Sequence, residues 1–234
     1  MNIFIVQAHP EPRSFNAALT ERAVEELTAA GHEVVVSDLY RMNWDPVSDR
    51  RNFLATADHT FFRQQAEEVN AVAHYGFSES IRMEQDKLHN CDALIFQFPL
   101  WWFGMPAILK GWVDKVFAMG VAYGGGRWYD RGMFAKKRAM LSLTTGGPEQ
   151  VYGPDGLNGD IEKILYPINH GILAFTGFRV LRPSIAWSAA RVTPEQRMAY
   201  LDAHAQRMRE LWTDDFIAYP PLSAFDERYV LRRS

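Results

Sequence analysis

The chain has 234 residues, 47% hydrophobic and 13% aromatic, enough for one large packed domain. Its net charge is −3, with both signs interspersed and no basic stripe, which argues against nucleic acid as a partner. Cys91 is the single cysteine, which excludes an internal disulfide and a cysteine-rich metal site and fits a reducing cytosol.

In chain order, NIFIVQ (2–7) predicts a buried strand, and the polar loop AHPEPRSFN follows it. Residues 15–30 carry Leu19, Ala23, Val24, Leu27 and Ala30 at helical spacing, with Gly31 at the C′ position. EVVVSD (33–38) predicts a second buried strand, and 39–60 are irregular. Helices are expected over 61–75 and 79–90, then a strand over 92–98 bounded by Pro99. Residues 106–119 predict a helix with Pro106 near its first turn. RAMLSL (138–143) is the fourth strand, 159–175 a helix bent near Pro167, and FRVLRPSIAW (178–187) holds the fifth strand. Thr193, Pro194 and Gln196 form a capping-box signature ahead of a last helix. An irregular aromatic tail closes the chain, so the expected division is a domain over 1–212 and a tail over 213–234 that packs on the domain or on a partner copy.

Strands alternate with helices and are apolar on both faces, the pattern of a parallel sheet covered on both sides. The expected fold class is α/β, a flavodoxin-like five-stranded parallel sheet with helices on both faces. Ligands of such sheets sit beyond the carboxyl ends of the strands, at the switch point. That directs attention to the loops after strands one, three and four.

In the first loop, Ser14 and Asn16 open a helix whose free N–H groups suit a phosphate; taken alone, Ser14 is better explained as a plain N-cap, as most helix-opening serines are. No GxGxxG or GxxxxGK occurs. The second loop, in FQFPLWWFGMPAILKGWVDKVF, crowds Trp101, Trp102 and Phe103 at a strand end. Aromatics are ordinarily core, but consecutive turn residues point in different directions and cannot all face one core; a flat conjugated ring resting there would use them. In the third loop, TTGGPEQVYGPDGLNGD, glycines let the backbone approach a ligand closely.

These segments, together with HPEPRSFN and ILYPINHGILAFTGF, closely resemble the NAD(P)H:quinone oxidoreductase family of flavodoxin-like diaphorases over about residues 2–212. The resemblance implies a bound flavin, usually FAD with FMN as the variant, NAD(P)H as co-substrate, a quinone acceptor, and a cytoplasmic homodimer with its sites at the subunit interface. It implies that His9, Ser14, Phe15 and Asn16 hold the pyrophosphate and adenosine side. Pro99, Leu100, Trp101, Trp102 and Phe103 would line the isoalloxazine, and Thr144, Thr145, Gly146 and Gly147 its polar edge. Arg197 falls near the adenine end. Trp102, Phe103, Tyr123, Gly125 and Asn158 would contact substrate, and Tyr152, Asn158, Gly146 and Gly147 would assist hydride transfer in a ping-pong cycle.

Three positions depart from the family pattern. Asn158 stands where a histidine partners the tyrosine, and an amide cannot take a proton near neutrality. Gly125 replaces a second gating tyrosine inside Gly124-Gly125-Gly126, and Trp101 replaces a glutamine. A family glutamine at the adenine end falls near Arg63 or Gln64. His59, His74, His89, His170 and His204 make no metal spacing, so no metal is expected. No run approaches a membrane span, and the amino terminus lacks a basic leader. Two other readings stand beside the enzyme: a flavin-binding ancillary subunit of a potassium-efflux system, and a plain electron-carrier flavodoxin.

Overall fold

The computed structural model describes residues 1–232; Arg233 and Ser234, the end of the expected tail, lie outside them. The elements are β1 (Asn2–Gln7), α1 (Phe15–Ala29), β2 (Glu33–Asp38), α2 (Gln64–His74), α3 (Glu79–Asn90), β3 (Ala93–Pro99), α4 (Ala107–Val116), β4 (Arg138–Thr144), α5 (Ile161–Ile168), β5 (Arg179–Val180), β6 (Ser184–Ala186) and α6 (Pro194–Arg209). The strands run parallel in the order β2-β1-β3-β4-β5, with β6 also alongside β4. This is the flavodoxin order, and its switch point lies between β1 and β3.

Period-two alternation sends each strand's side chains to two cores. Phe4, Val6, Leu94, Phe96 and Leu141 pack with Ile81, Trp112 and Leu165 from α3, α4 and α5. Ile3, Ile5, Ile95 and Met140 pack with Leu27 and Met208 from α1 and α6. Register brings Gln7 beside Gln97 and Pro99 beside Thr144, so the carboxyl ends form one rim.

Local signals act where expected. Gly31 turns at φ +79, and its N–H reaches the Thr28 carbonyl at 2.9 Å. Thr193 and Gln196 close the capping box that starts α6. Other expectations are corrected. β2 is an edge strand with Val35 and Val36 exposed, because only one neighbour flanks it. α2 begins at Gln64, after Arg63, later than its apolar run suggested. The helix expected over 159–175 divides into α5 and a π-helical segment, Asn169–Ala174, just past Pro167, whose missing N–H interrupts the ladder. The fifth strand is split into β5 and β6 around Pro183, which cannot donate to β4.

The tail folds back on the same chain. The Arg138 guanidinium donates to the Leu211, Trp212 and Asp214 carbonyls, the Ile217 N–H bonds the Val180 carbonyl at 2.8 Å, and Tyr219 packs edge-on to His170. No helix of the described residues is long and apolar enough to cross a membrane.

Candidate active site

At the end of β3 the Leu100 N–H is tied to the Thr144 carbonyl at 2.8 Å. The chain then reverses in a two-residue turn: Trp101 and Gly104 exchange both backbone hydrogen bonds, at 3.1 and 3.0 Å. Trp102 and Phe103 hold φ +50 and +59, as such a turn demands. Asn-Gly is the usual occupant; a side chain in this region costs roughly 1–2 kcal/mol per residue. Trp102 is 97% exposed, with Phe103 at 50% and Trp101 at 42%. The core explanation of this cluster therefore fails. Backbone strain together with exposed aromatics is the signature of a site rather than of packing.

The first loop is bound to this rim by a buried polar chain. The Asn16 Nδ2 donates to Thr144 Oγ1 at 2.9 Å, and its Oδ1 accepts from Gln97 Nε2 at 2.9 Å. Asn16 is 3% exposed, so its amide is committed to joining α1, β3 and β4 and does not reach outward to an anion. Ser14 Oγ accepts from the Ala17 N–H at 3.2 Å, the simple cap. His9 Nδ1 accepts from the Glu11 N–H at 3.0 Å, which leaves Nε2–H to donate elsewhere, and its ring lies 6.1 Å from that of Trp101.

In the third loop Thr145 Oγ1 donates to the Gly147 carbonyl at 2.7 Å. Among the described residues no protein acceptor meets the N–H of Gly146 or Gly147, and none meets those of Trp102 and Phe103. A Cβ on Gly146 would meet nothing within 4 Å, whereas one on Gly147 would lie 3.3 Å from Tyr152 Cε2 and 3.7 Å from Asn158 Nδ2. Tyr152 and Asn158 thus lie beside Gly147.

The three loops and α6 enclose a cleft of about 350 Å³. Of the residues picked out beforehand, Phe15, Pro99, Leu100, Trp101, Thr144, Thr145, Gly146 and Arg197 line it. Arg197 is steadied there by its Nε–H to the Ala189 carbonyl at 3.2 Å. Ala189 and Ala190 also line the cleft, and nothing in the sequence marks alanines as ligand contacts. Tyr123 is elsewhere. It lines a separate cavity of about 250 Å³ with Gln64, Glu68 and Phe175, and its hydroxyl accepts from Gln65 Nε2 at 3.1 Å. Burial pushes the Glu68 carboxyl up there, against hydrogen bonds from the Met119 N–H and Gln64. Exposed Gly125 follows Tyr123 on this side, so within one chain the expected gating positions do not border the cleft.

Residues 1–211 match the family model described as flavodoxin-like fold. The chain is 44% identical to NAD(P)H dehydrogenase (quinone) 1 of Cavia porcellus, over 95% of this chain and 81% of that protein. The chain belongs to the flavodoxin-like NAD(P)H:quinone oxidoreductase family. Within that family it is 42% identical to the ribosyldihydronicotinamide dehydrogenase (quinone) of Mus musculus, over 96% of this chain and 98% of that one. A Klebsiella pneumoniae protein solved as a candidate quinone reductase superposes with a TM-score of 0.96 at 41% identity, covering 99% of this chain and 94% of its own. The residues present fit the family's flavin: a cleft within the usual ligand range, lined by Phe15, Trp101 and the Gly146 backbone, whose N–H has no protein acceptor among the described residues, with Trp102, Phe103 and Gly147 adjoining these in sequence but not lining it.

Proposed function

We propose that this chain is a flavin-dependent NAD(P)H:quinone oxidoreductase, active as a homodimer, in which reduced nicotinamide and quinone occupy one slot in turn. The observation that carries the reading is the single cleft into which the loops after β1, β3 and β4 converge, at the switch point of the sheet. When bound, the flavin supplies the hydride chemistry; the protein binds, orients and polarises. Leu100 and Trp101 support the ring, and the amides of Gly146 and Gly147 stabilise negative charge at its polar edge. Each well-aimed donor of that kind contributes about 3 kcal/mol. Phe15 and Arg197 extend the cleft beyond the ring, with His9 beside Trp101, which favours FAD over FMN.

Trp102 and Phe103, already held open by their turn, wall the substrate slot and need no rearrangement to receive a flat ring. Tyr152 and Asn158 orient substrate over Gly147. Asn158 donates a hydrogen bond but stores no proton, so the proton reaching reduced quinone comes from solvent. Tyr123 lines a different cavity and exposed Gly125 does not line the cleft of its own chain, which supports their serving the cleft of a second copy. Residues 1–212 form the flavin domain in this reading and the remainder a strap on it.

The test is to purify the protein, release and identify its yellow cofactor, and follow menadione reduction with NADH, NADPH and reduced nicotinamide riboside, since the relatives' names include both donor types. FAD at one per chain, with turnover well above that of free flavin, is the expected result. A colourless protein that takes up neither flavin overturns the reading.

A further inference from the structure

Nothing in the sequence marks Trp187 or Ser188, and neither lines the cleft. Both nevertheless grip the loop that forms its floor. Ser188 holds φ +49, a strained conformation for a residue with a side chain. In that conformation its N–H donates to the Gly147 carbonyl at 3.1 Å and to Thr145 Oγ1 at 3.3 Å. The Thr145 N–H is held in turn by the Ala186 carbonyl at 3.1 Å. The segment Thr145–Gly147 is therefore pinned at both ends by the short run Ala186–Ser188, while the amides in its middle have no protein acceptor among the described residues.

Trp187 acts on the other partner of the site. Its ring centroid lies 5.4 Å from that of Tyr152 with 33° between planes. Tyr152 is a largely buried residue whose hydroxyl has no protein hydrogen-bond partner among the described residues, so packing orients its ring. Its Cε2 edge lies close to Gly147, where an added Cβ would come within 3.3 Å. Tyr152 thus packs near both the Trp187 ring and the glycine backbone.

We propose that Trp187 and Ser188 are positioning residues: together they brace the Gly146–Gly147 amides and the Tyr152 ring, and so set how strongly the bound flavin holds added electrons. The proposal rests on the flavin reading above. A brace differs from ordinary packing in what it moves. It acts on loop order and on the cofactor's potential, and it leaves substrate affinity nearly alone.

The experiment compares Trp187→Ala, Trp187→Phe and Ser188→Gly in the full-length protein as purified. Hydrogen exchange of the 145–152 segment should quicken about tenfold in Trp187→Ala. The flavin midpoint potential should move negative, and flavin reduction should slow about tenfold with KM within about twofold of wild type. Trp187→Phe, which keeps a flat ring, should restore all three readouts. Ser188→Gly keeps the N–H and removes the side chain, so unchanged exchange and potential assign the Ser188 part of the brace to its backbone N–H, and a change in either overturns that assignment. Trp187→Leu, matched more closely in volume but lacking the ring, gives the same answer should the alanine variant fail to fold. Unchanged exchange and potential in Trp187→Ala, or failure of phenylalanine to rescue, overturns the brace. If the protein carries no flavin, the flavin reading fails on that observation alone, and the exchange arm still decides whether Trp187 orders the loop.

Discussion

Trp112 and Trp102 lie in the same aromatic run, yet the fold treats them in opposite ways. Trp112 is 0% exposed, meets Phe4, Phe96 and Phe117 edge to face, and donates its indole N–H to Glu84 at 2.9 Å. Trp102 is 97% exposed on a left-handed turn. The first arrangement stabilises through burial and satisfied polarity. The second costs stability and persists because backbone hydrogen bonds on either side impose it. Residue type alone does not separate core from site; conformation and exposure do.

Four changes sharpen or break that contrast. Trp112→Ala should cost about 3–5 kcal/mol by opening a cavity and leaving Glu84 Oε2 without its donor, while Oε1 keeps Ser37 and Lys87, measured by urea unfolding. A loss under about 1 kcal/mol would place Trp112 outside the core logic.

His204, on α6 across the sheet from Trp112, tests burial for charge. Its Nδ1 faces Ser184 Oγ at 3.0 Å, and burial is the main force holding its imidazole down, to about 4. The unfolded chain then binds a proton that the folded chain refuses. Stability is full above pH about 6.5 and falls as pH drops toward about 4, by about 3 kcal/mol. His204→Gln should flatten that slope in unfolding measured from pH about 4 to about 7.

Trp102→Gly should move stability the other way, raising it by about 1 kcal/mol as the left-handed strain is relieved. Quinone reductase turnover should fall at least about tenfold in the same variant. Loss of both stability and activity would show that the exposed ring is structural after all. The smallest effect belongs to Asn158→Ala: turnover should keep the wild-type pH profile around pH 6.5, because the amide it removes does not titrate. An essential ionisation that vanishes in this variant would assign a proton relay to Asn158.

Much of this architecture was legible beforehand. Continuous apolar runs marked β1, β3 and β4, and the Thr193 box and Gly31 marked helix ends by local chemistry. β2 misled because Val34 to Val36 read as buried when an edge position leaves them in contact with water. The divided helix at Asn169–Ala174 and the divided last strand each follow from a proline whose consequence depends on the neighbouring element. Most of the cleft lining was recognisable because loops after particular strands must meet. The inward commitment of Asn16 was not, since an amide beside a helix start serves a ligand or a neighbouring strand equally well. The turn at Trp102 and Phe103 lacks Asn-Gly, and nothing local encodes a left-handed pair of aromatics. Tyr123 was expected at the substrate slot but lines a separate cavity with Gln64, Glu68 and Phe175, a placement that loop order alone does not give.

The break around Pro183 has one more effect. On that flank of the sheet the ladder is cut into pieces of two and three residues, and the Ile217 N–H already occupies the Val180 carbonyl. A foreign strand arriving there finds no continuous row of donors and acceptors to join. Copies of this protein can therefore meet through helices and loops, but not by extending one another's sheets from this border.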